Sequence, residues 1–294
     1  MSNPIIAGVD PQHQDDSPLR LAAGLARVTG APLLAIASRA GDTTRASRML
    51  ETDPRADSAA KLEALAAGFE AEAALLEGPS PARVLHDAAV ARDASMIVVG
   101  STRRARLAPG STGERLLHGA PCPVAIAPAA LPAGWAPRRI AVGFIDADEG
   151  RSALRYSAAL AGAASAPLHA LTAVEPVDLS QLPDIAPDTS GKGLENAQAA
   201  AQRALYLATE SLPGGVPASR EVVVAHAADA LIELSRDADL LICGSRGYGP
   251  VQSVLLGSVT RRLTRSAECP VIIVPRDVEQ AVASLDGQHE VTAP

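Results

Sequence analysis

A glycine-rich segment in the second half of the chain has the residue types and spacing of an anion-binding loop. Gly244 and Gly247 are separated by two residues, and nine further residues lead to Gly257 and Ser258. Glycines allow backbone N–H groups to approach a phosphate closely because no Cβ stands in the way. A helix that follows such a loop adds unpaired N–H groups and a favourable dipole. The spacing therefore predicts a phosphate-binding loop, and the alternative interpretation is a tight turn with an ordinary helix cap.

The glycine segment follows an apolar run that is typical of a buried strand. Residues 240–243 read LLIC, and a similar run, VIIV, occupies residues 271–274. Neither run alternates apolar with polar residues, which is typical of strands covered on both faces by crossover helices. In the second half we predict strands over 139–144, 168–174, 221–225, 240–244 and 270–274, and helices over 149–164, 194–212, 228–236 and 258–266.

This alternation of strands and helices predicts an α/β fold with a doubly wound parallel sheet. In such sheets, ligands bind outside the carboxyl ends of the strands, where the strand order reverses. The glycine segment begins at the carboxyl end of a predicted strand. The predicted loop and the predicted ligand crevice therefore coincide.

The chain contains two copies of one unit. Residues 120–128 read APCPVAIAP and residues 267–275 read AECPVIIVP. Residues 8–26 also align without a gap onto residues 143–161. A repeat of about 140 residues has the size of a domain rather than of a solenoid unit.

The repeat predicts two tandem, Rossmann-like domains, each with a five-stranded parallel sheet. We place the first at 1–130 and the second at 138–276, joined by a Pro- and Ala-rich linker that contains Trp135. The polar segment 277–294 lacks a core pattern and is expected to be a disordered tail.

Composition argues against several classes of partner. The formal net charge is −7, which disfavours nucleic acid and anionic membrane surfaces. The chain has one Trp, three Tyr and two Phe, which leaves little for base stacking. No apolar run reaches the roughly 18–20 residues of a membrane span, and the opening MSNPIIAGVD has no signal-peptide core. We expect a cytoplasmic protein that binds neither nucleic acid nor membrane.

The cysteines and histidines do not form a recognisable chemical site. Cys122, Cys243 and Cys269 are interpreted as buried, reduced thiols, and a redox role for Cys243, just before the loop, is the alternative. None of the six histidines has a cysteine or carboxylate at metal-ligand spacing. No nucleophile elbow of the G-x-S-x-G type follows a strand. We therefore predict neither a metal site nor a catalytic residue.

On these residues the chain resembles the universal stress protein family. The segments GSRGYGPVQSVLLGSVTRRL and CPVIIVP are similar to that family's carboxyl-terminal signature, and the openings IIAGVD and IAVGFID are similar to its first strand. The resemblance implies ATP binding, which is common in members with the G-x2-G-x9-G-[S/T] pattern. It also implies pairing through the last strand of each unit, either between two chains as a homodimer or within this chain as a pseudo-dimer.

The resemblance also implies a nucleotide site in the second half. The residues implied by position are Gly244, Arg246 and Gly247 from the loop, Gly257, Ser258 and Val259 from the helix start, and Phe144 and Val174 from the ends of the first two strands. Many members have an Asp at the end of strand one. The gapless alignment places Ile145 there, and Asp146 takes this role if the strand end is shifted by one residue. Mg²⁺ would be held mostly by phosphate oxygens and water.

The first half departs from the pattern. Asp10 matches the family's acidic residue, but Arg103 stands where the second glycine belongs, and only six residues separate it from Gly110 and Ser111. A loop with a Cβ and a guanidinium cannot form the same nest of N–H groups. The first site is expected to be degenerate or to bind something else, with Asp10, Gly110 and Ser111 as its candidate residues. The alternative role of Asp10, favoured by the altered loop, is to accept backbone N–H groups at its strand end.

Three functions are compatible with the sequence. The leading hypothesis is a regulatory, ATP-binding stress protein with little or no turnover, which holds an adenine nucleotide mainly in its second half. The second is a slow ATPase or nucleotide hydrolase. The third is an assembly module whose pockets are vestigial. The fold alone does not choose among them.

Overall fold

The computed structural model describes residues 3–13, 15–40, 54–101, 111–129, 131–176, 190–213, 216–245, 257–275 and 282. The elements of the first half are β1 (Ile5–Gly8), α1 (Ser17–Thr29), β2 (Leu33–Ala40), α2 (Pro54–Ala67), β3 (Glu72–Gly78), α3 (Pro81–Arg92), β4 (Met96–Gly100), α4 (Ser111–Leu117) and β5 (Val124–Ala127). Those of the second half are β6 (Ile140–Gly143), α5 (Asp148–Ala164), β7 (Leu168–Val174), α6 (Ser190–Glu210), β8 (Ala218–Val224), α7 (Ala227–Asp237), β9 (Leu240–Gly244), α8 (Ser258–Ser266) and β10 (Val271–Val274).

The strands form a single ten-stranded sheet in the order β3-β2-β1-β4-β5-β10-β9-β6-β7-β8. Within each half all neighbouring strands are parallel. Each half starts at a central strand, runs to one edge and then returns to the other side of that strand. This is the doubly wound topology that the alternating sequence pattern predicts.

The helices cover the sheet in two layers. One core cluster includes residues of α1, α2, α5 and α6, and the other includes residues of α3, α4, α7 and α8. The central strands lie between these layers, and β4, β5, β9 and β10 are buried along almost their whole length. Apolar runs without alternation are the sequence consequence of burial on both faces.

Local sequence determines where several helices begin and end. The Ser80 hydroxyl accepts the Arg83 N–H at the start of α3, where Pro81 occupies the first turn. Gly30 ends α1 with a φ of 61°, a left-handed conformation that glycine adopts without strain. These are standard N-terminal and C-terminal signals of helices.

The last strands of the two halves pair with each other inside the chain. β5 and β10 are antiparallel, with Ile126 opposite Val271 and Val124 opposite Ile273. The ion pair between Glu114 of α4 and Arg265 of α8, with 3.7 Å between Oε1 and Nη2, crosses the same junction. Of the two arrangements implied by the family resemblance, the chain therefore contains the internal pseudo-dimer.

The linker between the halves packs against α1. The side chain of Trp135 is buried. A Cβ on Gly24 of α1 would lie 2.6 Å from the ring of Trp135 and 2.6 Å from the carbonyl oxygen of Trp135. Arg20 donates to the Leu131 carbonyl and Arg27 to that of Trp135, each at 3.0 Å. The two arginine hydrogen bonds and the close packing of Trp135 on Gly24 thus fix the path of the linker.

The predicted elements of the second half are all present, some with the predicted bounds and others with shifted ends. β7, β9 and α8 have the predicted bounds, whereas β8 begins at Ala218, three residues before the prediction, and α6 begins at Ser190, four residues before it. Residues 219–221 of β8 are exposed because this strand is at the edge of the sheet, so its sequence does not form an apolar run. The predicted tail lies outside the described residues except for Val282, which packs against the core cluster that includes α1 and α5.

Candidate functional site

The carboxyl ends of β6 and β9 lie side by side in the second half. Gly143 of β6 lies opposite Cys243 of β9, so the two strands end side by side. The chain leaves β6 for α5 on one face of the sheet, whereas the helix that follows β9, α8, packs on the other face. This divergence defines the switch point at which doubly wound sheets bind ligands. Gly244 ends β9 and so lies at this switch point, as predicted.

Gly244 is packed too closely for any side chain. A Cβ at this position would lie 2.9 Å from the carbonyl oxygen of Glu149 and 3.1 Å from its Cβ. The first turn of α5 therefore rests directly on the end of β9. The next residue, Ser245, donates its backbone N–H to the Val274 carbonyl at 2.9 Å and so continues the pairing with β10. The backbone at the end of β9 is therefore held by α5 on one side and by β10 on the other.

The start of α8 is attached to the same point. Thr260 is buried in the first turn of α8, and its Oγ1 lies 3.5 Å from the carbonyl oxygen of Gly244. Gly257 is the N-cap residue, and in the described part of the chain no side chain caps this helix. The N–H groups of the first turn, which include those of Ser258 and Val259, are thus not used by a capping side chain. Such a helix start can accept an anion.

The strand-end residues of the predicted base and ribose subsite have different surroundings. The Phe144 side chain is buried in the core cluster that includes α5, and its N–H donates to the Leu171 carbonyl at 2.8 Å. Only the backbone of Phe144 is therefore placed to contact a ligand in this arrangement. Val174 is the last residue of β7, is partly exposed, and accepts the Ala225 N–H at 3.1 Å.

The ends of the first strands of the two halves are in the same register. Val9 donates to the Ile36 carbonyl at 2.9 Å, and Phe144 makes the equivalent bond to the next strand of its own half. Ile145 therefore takes the place that Asp10 has in the first half. Asp146 follows it, and its Oδ1 accepts two bonds from Arg151, at 2.9 Å from Nε and 2.6 Å from Nη2. Its role as a base or ribose contact stays a prediction, and a ligand would compete with this exposed ion pair.

Several predicted residues lie outside the described part of the chain. These are Arg246 and Gly247 of the second-half loop, and Gly110 of the first half. Ser111 is the first residue of α4. In the first half, Asp10 Oδ1 accepts the Gln12 N–H at 3.0 Å, and Asp10 Oδ2 lies 2.7 Å from His13 Nδ1. Asp10 thus makes the local backbone contact expected at its strand end, and its role as a nucleotide contact stays a prediction.

Two buried polar residues beside the end of β9, Glu149 and Thr260, were not predicted from the sequence. Glu149, in the first turn of α5, is only 8% exposed, although glutamate is seldom this buried. Thr260 is likewise a buried polar residue, and it connects α8 to β9. For Glu149 the available signal was a carboxylate in the first turn of the helix that follows β6. For Thr260 the signal was its position two residues after Ser258.

The thiol of Cys243 is buried in surroundings that disfavour its ionisation. All three cysteines are free and buried. Burial raises the pKa of Cys243 from 9.0 to about 12, so the thiolate that redox and nucleophilic chemistry requires is scarce at neutral pH. Burial raises the pKa values of Cys122 and Cys269 in the same way. This environment disfavours the redox alternative for Cys243.

The described residues contain neither a cluster of metal ligands nor a membrane-spanning helix. No group of three or more His, Cys, Asp or Glu side chains there is arranged to hold a metal ion. None of the helices described is both long and apolar enough to cross a bilayer.

The fold and its switch point define a class of protein: a tandem pair of doubly wound α/β units that share one sheet. The family model described as "Universal stress protein family" matches residues 1–128 and again residues 137–275. The chain belongs to the universal stress protein family.

Individual relatives agree with this assignment. Universal stress protein Rv2005c of Mycobacterium tuberculosis is 33% identical over 192 residues, and the alignment covers 63% of each chain. The chain thus matches less than two thirds of that relative's length. Universal stress protein Mb2346c of Mycobacterium bovis is 30% identical over 196 residues, covering 62% of this chain and 65% of the relative.

Solved structures show the same fold at full length. A functionally unknown protein, PA1789, from Pseudomonas aeruginosa superposes with a TM-score of 0.64 at 18% identity, covering 98% of this chain and 97% of its own. A universal stress protein from Archaeoglobus fulgidus gives a TM-score of 0.61 at 18% identity, covering 94% of this chain and 99% of its own. Both comparisons concern the fold alone.

Proposed function

We propose that this chain is a cytoplasmic regulatory protein that binds ATP, together with Mg²⁺, mainly in its second half. The observation that carries the proposal is the junction of Gly244 with the start of α8 at the switch point of the sheet. Gly244 has no room for a Cβ, and Thr260 holds the uncapped helix start beside it. The N–H groups of this uncapped helix start, placed beside a strand end, are suited to a phosphate.

The remaining predicted contacts complete the proposed site. Backbone groups of Arg246 and Gly247 would extend the phosphate contacts, and the ends of β6 and β7, at Phe144 and Val174, would contact the base and ribose. Ile145 offers no side-chain acceptor where many family members have an acid, so base recognition would depend on backbone groups and on Asp146. The three buried thiols are consistent with a reducing, cytoplasmic location.

The two halves would have different roles. We propose that 1–130 and 138–276 are separate domains and that only the second holds the nucleotide. In the first, the Asp10 carboxylate is already engaged by the Gln12 N–H and by His13. In addition, Arg103 replaces the second loop glycine. The β5–β10 pairing occupies the last strand of each half, so an assembly module would have to use another surface.

The experiment that tests this function is calorimetric titration of the protein with ATP and Mg²⁺. Gly247→Arg places in the second half the residue that the first half has at position 103, and it should abolish binding. Gly193→Ala is the matched control, because a Cβ there meets nothing within 4 Å. Saturable binding that Gly247→Arg removes and Gly193→Ala preserves supports the proposal. No binding by the unmodified chain, or undiminished binding by Gly247→Arg, contradicts it.

A further inference from the structure

A serine, a histidine and a glutamate form a continuous hydrogen-bonded set on the two outer strands of the second half. His169 is on β7, and Ser219 lies directly opposite it on β8. His169 Nδ1 lies 2.7 Å from Ser219 Oγ, and His169 Nε2 lies 3.0 Å from Glu221 Oε2. Glu221 is two residues after Ser219, so both side chains project from the same face of β8. The set therefore runs from a hydroxyl through an imidazole to a carboxylate.

The carboxylate determines which nitrogen of the imidazole carries the proton. A carboxylate accepts hydrogen bonds and does not donate them, so Nε2–H donates to Glu221. In the neutral ring Nδ1 is then an acceptor, and the Ser219 hydroxyl donates to it. The other acceptor near this hydroxyl, the Leu168 carbonyl oxygen, is 3.4 Å away, so the 2.7 Å bond to Nδ1 is the better one. A hydroxyl that donates to an imidazole oriented by a carboxylate is the arrangement that activates serine nucleophiles.

The set is accessible, and it is separate from the proposed nucleotide site. Ser219 and Glu221 are exposed, and the side chain of His169 is about one third exposed, at 32%. His169 is the second residue of β7, whereas Val174, at the proposed nucleotide site, is the last. Five residues of strand span roughly 16 Å. A small molecule can therefore reach Ser219 while a nucleotide occupies the other end of the strands.

The outer edge of β8 supplies a hydrogen-bond donor next to the hydroxyl. Leu168 donates its N–H to the Pro217 carbonyl, and Ala225 donates to the Val174 carbonyl, so the odd-numbered residues of β8 bond to β7. The residues between them point their N–H groups the other way in a parallel ladder. The N–H of Arg220 thus faces the edge of the sheet, where no described strand pairs with β8. In serine hydrolases the N–H of the residue after the nucleophile stabilises the developing oxyanion.

We propose that Ser219 is a nucleophile that accepts acyl groups from small activated esters, with His169 as its general base and Glu221 as the group that orients the imidazole. Ser219 Oγ attacks the ester carbonyl carbon while its proton moves to His169 Nδ1. The C–O bond of the ester then breaks, and the leaving alcohol takes that proton, which leaves Ser219 acylated. Water, deprotonated by the same imidazole, hydrolyses the acyl-serine to a carboxylic acid and free Ser219. This activity does not depend on the proposed ATP site.

The test is the rate of acetylation of individual serines when the full chain reacts with 4-nitrophenyl acetate, followed by mass spectrometry of acid-quenched samples. Ser211 is the matched internal control, because it is exposed and its hydroxyl donates to the Ala208 carbonyl instead of to a histidine. Ser219 should be acetylated at least about a hundredfold faster than Ser211, since a general base contributes about 10²–10⁴-fold. Ser219→Ala should remove the fast phase of nitrophenolate release.

Variants of the two supporting residues separate the base from its orienting group. His169→Gln should lower the rate of Ser219 acetylation by about a hundredfold. Glu221→Gln should lower it by a smaller factor, about tenfold, because this carboxylate is half exposed, at 49%. His226→Gln, which changes an exposed histidine of the same half, should leave the rate unchanged.

The inference is overturned if Ser219 and Ser211 of the unmodified protein are acetylated at equal rates, or if His169→Gln and His226→Gln behave alike. The three side chains would then only cross-link β7 and β8. The comparison of the two serines needs no substitution, so it decides the question even if His169→Gln is poorly folded.

Discussion

Replacing Gly244 by alanine tests the geometry on which the proposed site depends. The new Cβ would lie 2.9 Å from the Glu149 carbonyl oxygen, whereas ordinary contacts begin near 3.4 Å. The backbone of β9 or of α5 must therefore move by about 0.5 Å, the difference between these two distances. Because the obstacle is backbone and not the tip of a flexible side chain, we expect a cost in the usual range for overpacking, about 1–3 kcal/mol of the free energy of unfolding.

The assay is urea unfolding followed by the fluorescence of Trp135, the only tryptophan, together with ATP titration of the folded variant. A shift at this strand end should also weaken ATP binding, by about tenfold, because Thr260 holds the start of α8 beside Gly244. Gly193→Ala, in open space on α6, should instead be neutral or stabilise by up to about 1 kcal/mol through helix propensity. Equal effects of the two alanine substitutions on stability would refute the close contact between β9 and α5.

Three further predictions concern the linker, two buried threonines and the thiol of Cys243. Gly24→Ala should displace the linker and shift Trp135 emission to longer wavelength, because the new Cβ would meet the ring and its carbonyl at 2.6 Å; an unchanged spectrum contradicts the described path of the linker. Thr172→Val should raise the free energy of unfolding by about 1 kcal/mol, since the buried Thr172 Oγ1 has no hydrogen-bond partner among the residues that the structure describes. Thr209→Val, which loses a 2.8 Å bond to the Leu205 carbonyl, should instead lower the free energy of unfolding in the same urea assay. A less stable Thr172→Val together with a more stable Thr209→Val would contradict this prediction. Because burial raises the pKa of Cys243, the neutral thiol contributes stability that is fully present below the unfolded pKa near 9. This contribution is lost as pH rises toward about 12, with a slope of up to about 1.4 kcal/mol per pH unit. Urea titrations from pH 8.5 to 10.5 should therefore show a shallower decline for Cys243→Ala, whereas an identical slope counts against burial of the thiol.

The sequence predicted the fold well wherever burial leaves a clear pattern. The runs around Ile242 and Ile273 are apolar without alternation because helices cover both faces of β9 and β10. The start of β8 was missed because Arg220 and its neighbours are exposed at the sheet edge and show no apolar run. Whether β5 and β10 would pair within one chain or between two was not predictable, because both arrangements use the same apolar edges.

The site was predictable only in part, for a similar reason. Gly244, Gly257 and Ser258 were predictable because glycine spacing and helix-start residues are local patterns that can be recognised in the sequence. The closeness of Glu149 to Gly244 depends on how α5 leans against β9, which is a matter of tertiary packing. No local pattern encodes it.

The central claim is that the second half binds one nucleotide and the first half binds none. Equilibrium dialysis of the full chain against labelled ATP with Mg²⁺ measures this directly as moles bound per mole of chain. We expect saturation at one, lost in Gly247→Arg and unchanged in a variant of the first-half acid, Asp10→Asn. Saturation at two would contradict the assignment of separate roles to the two halves, and no bound nucleotide would contradict the proposed function as a whole.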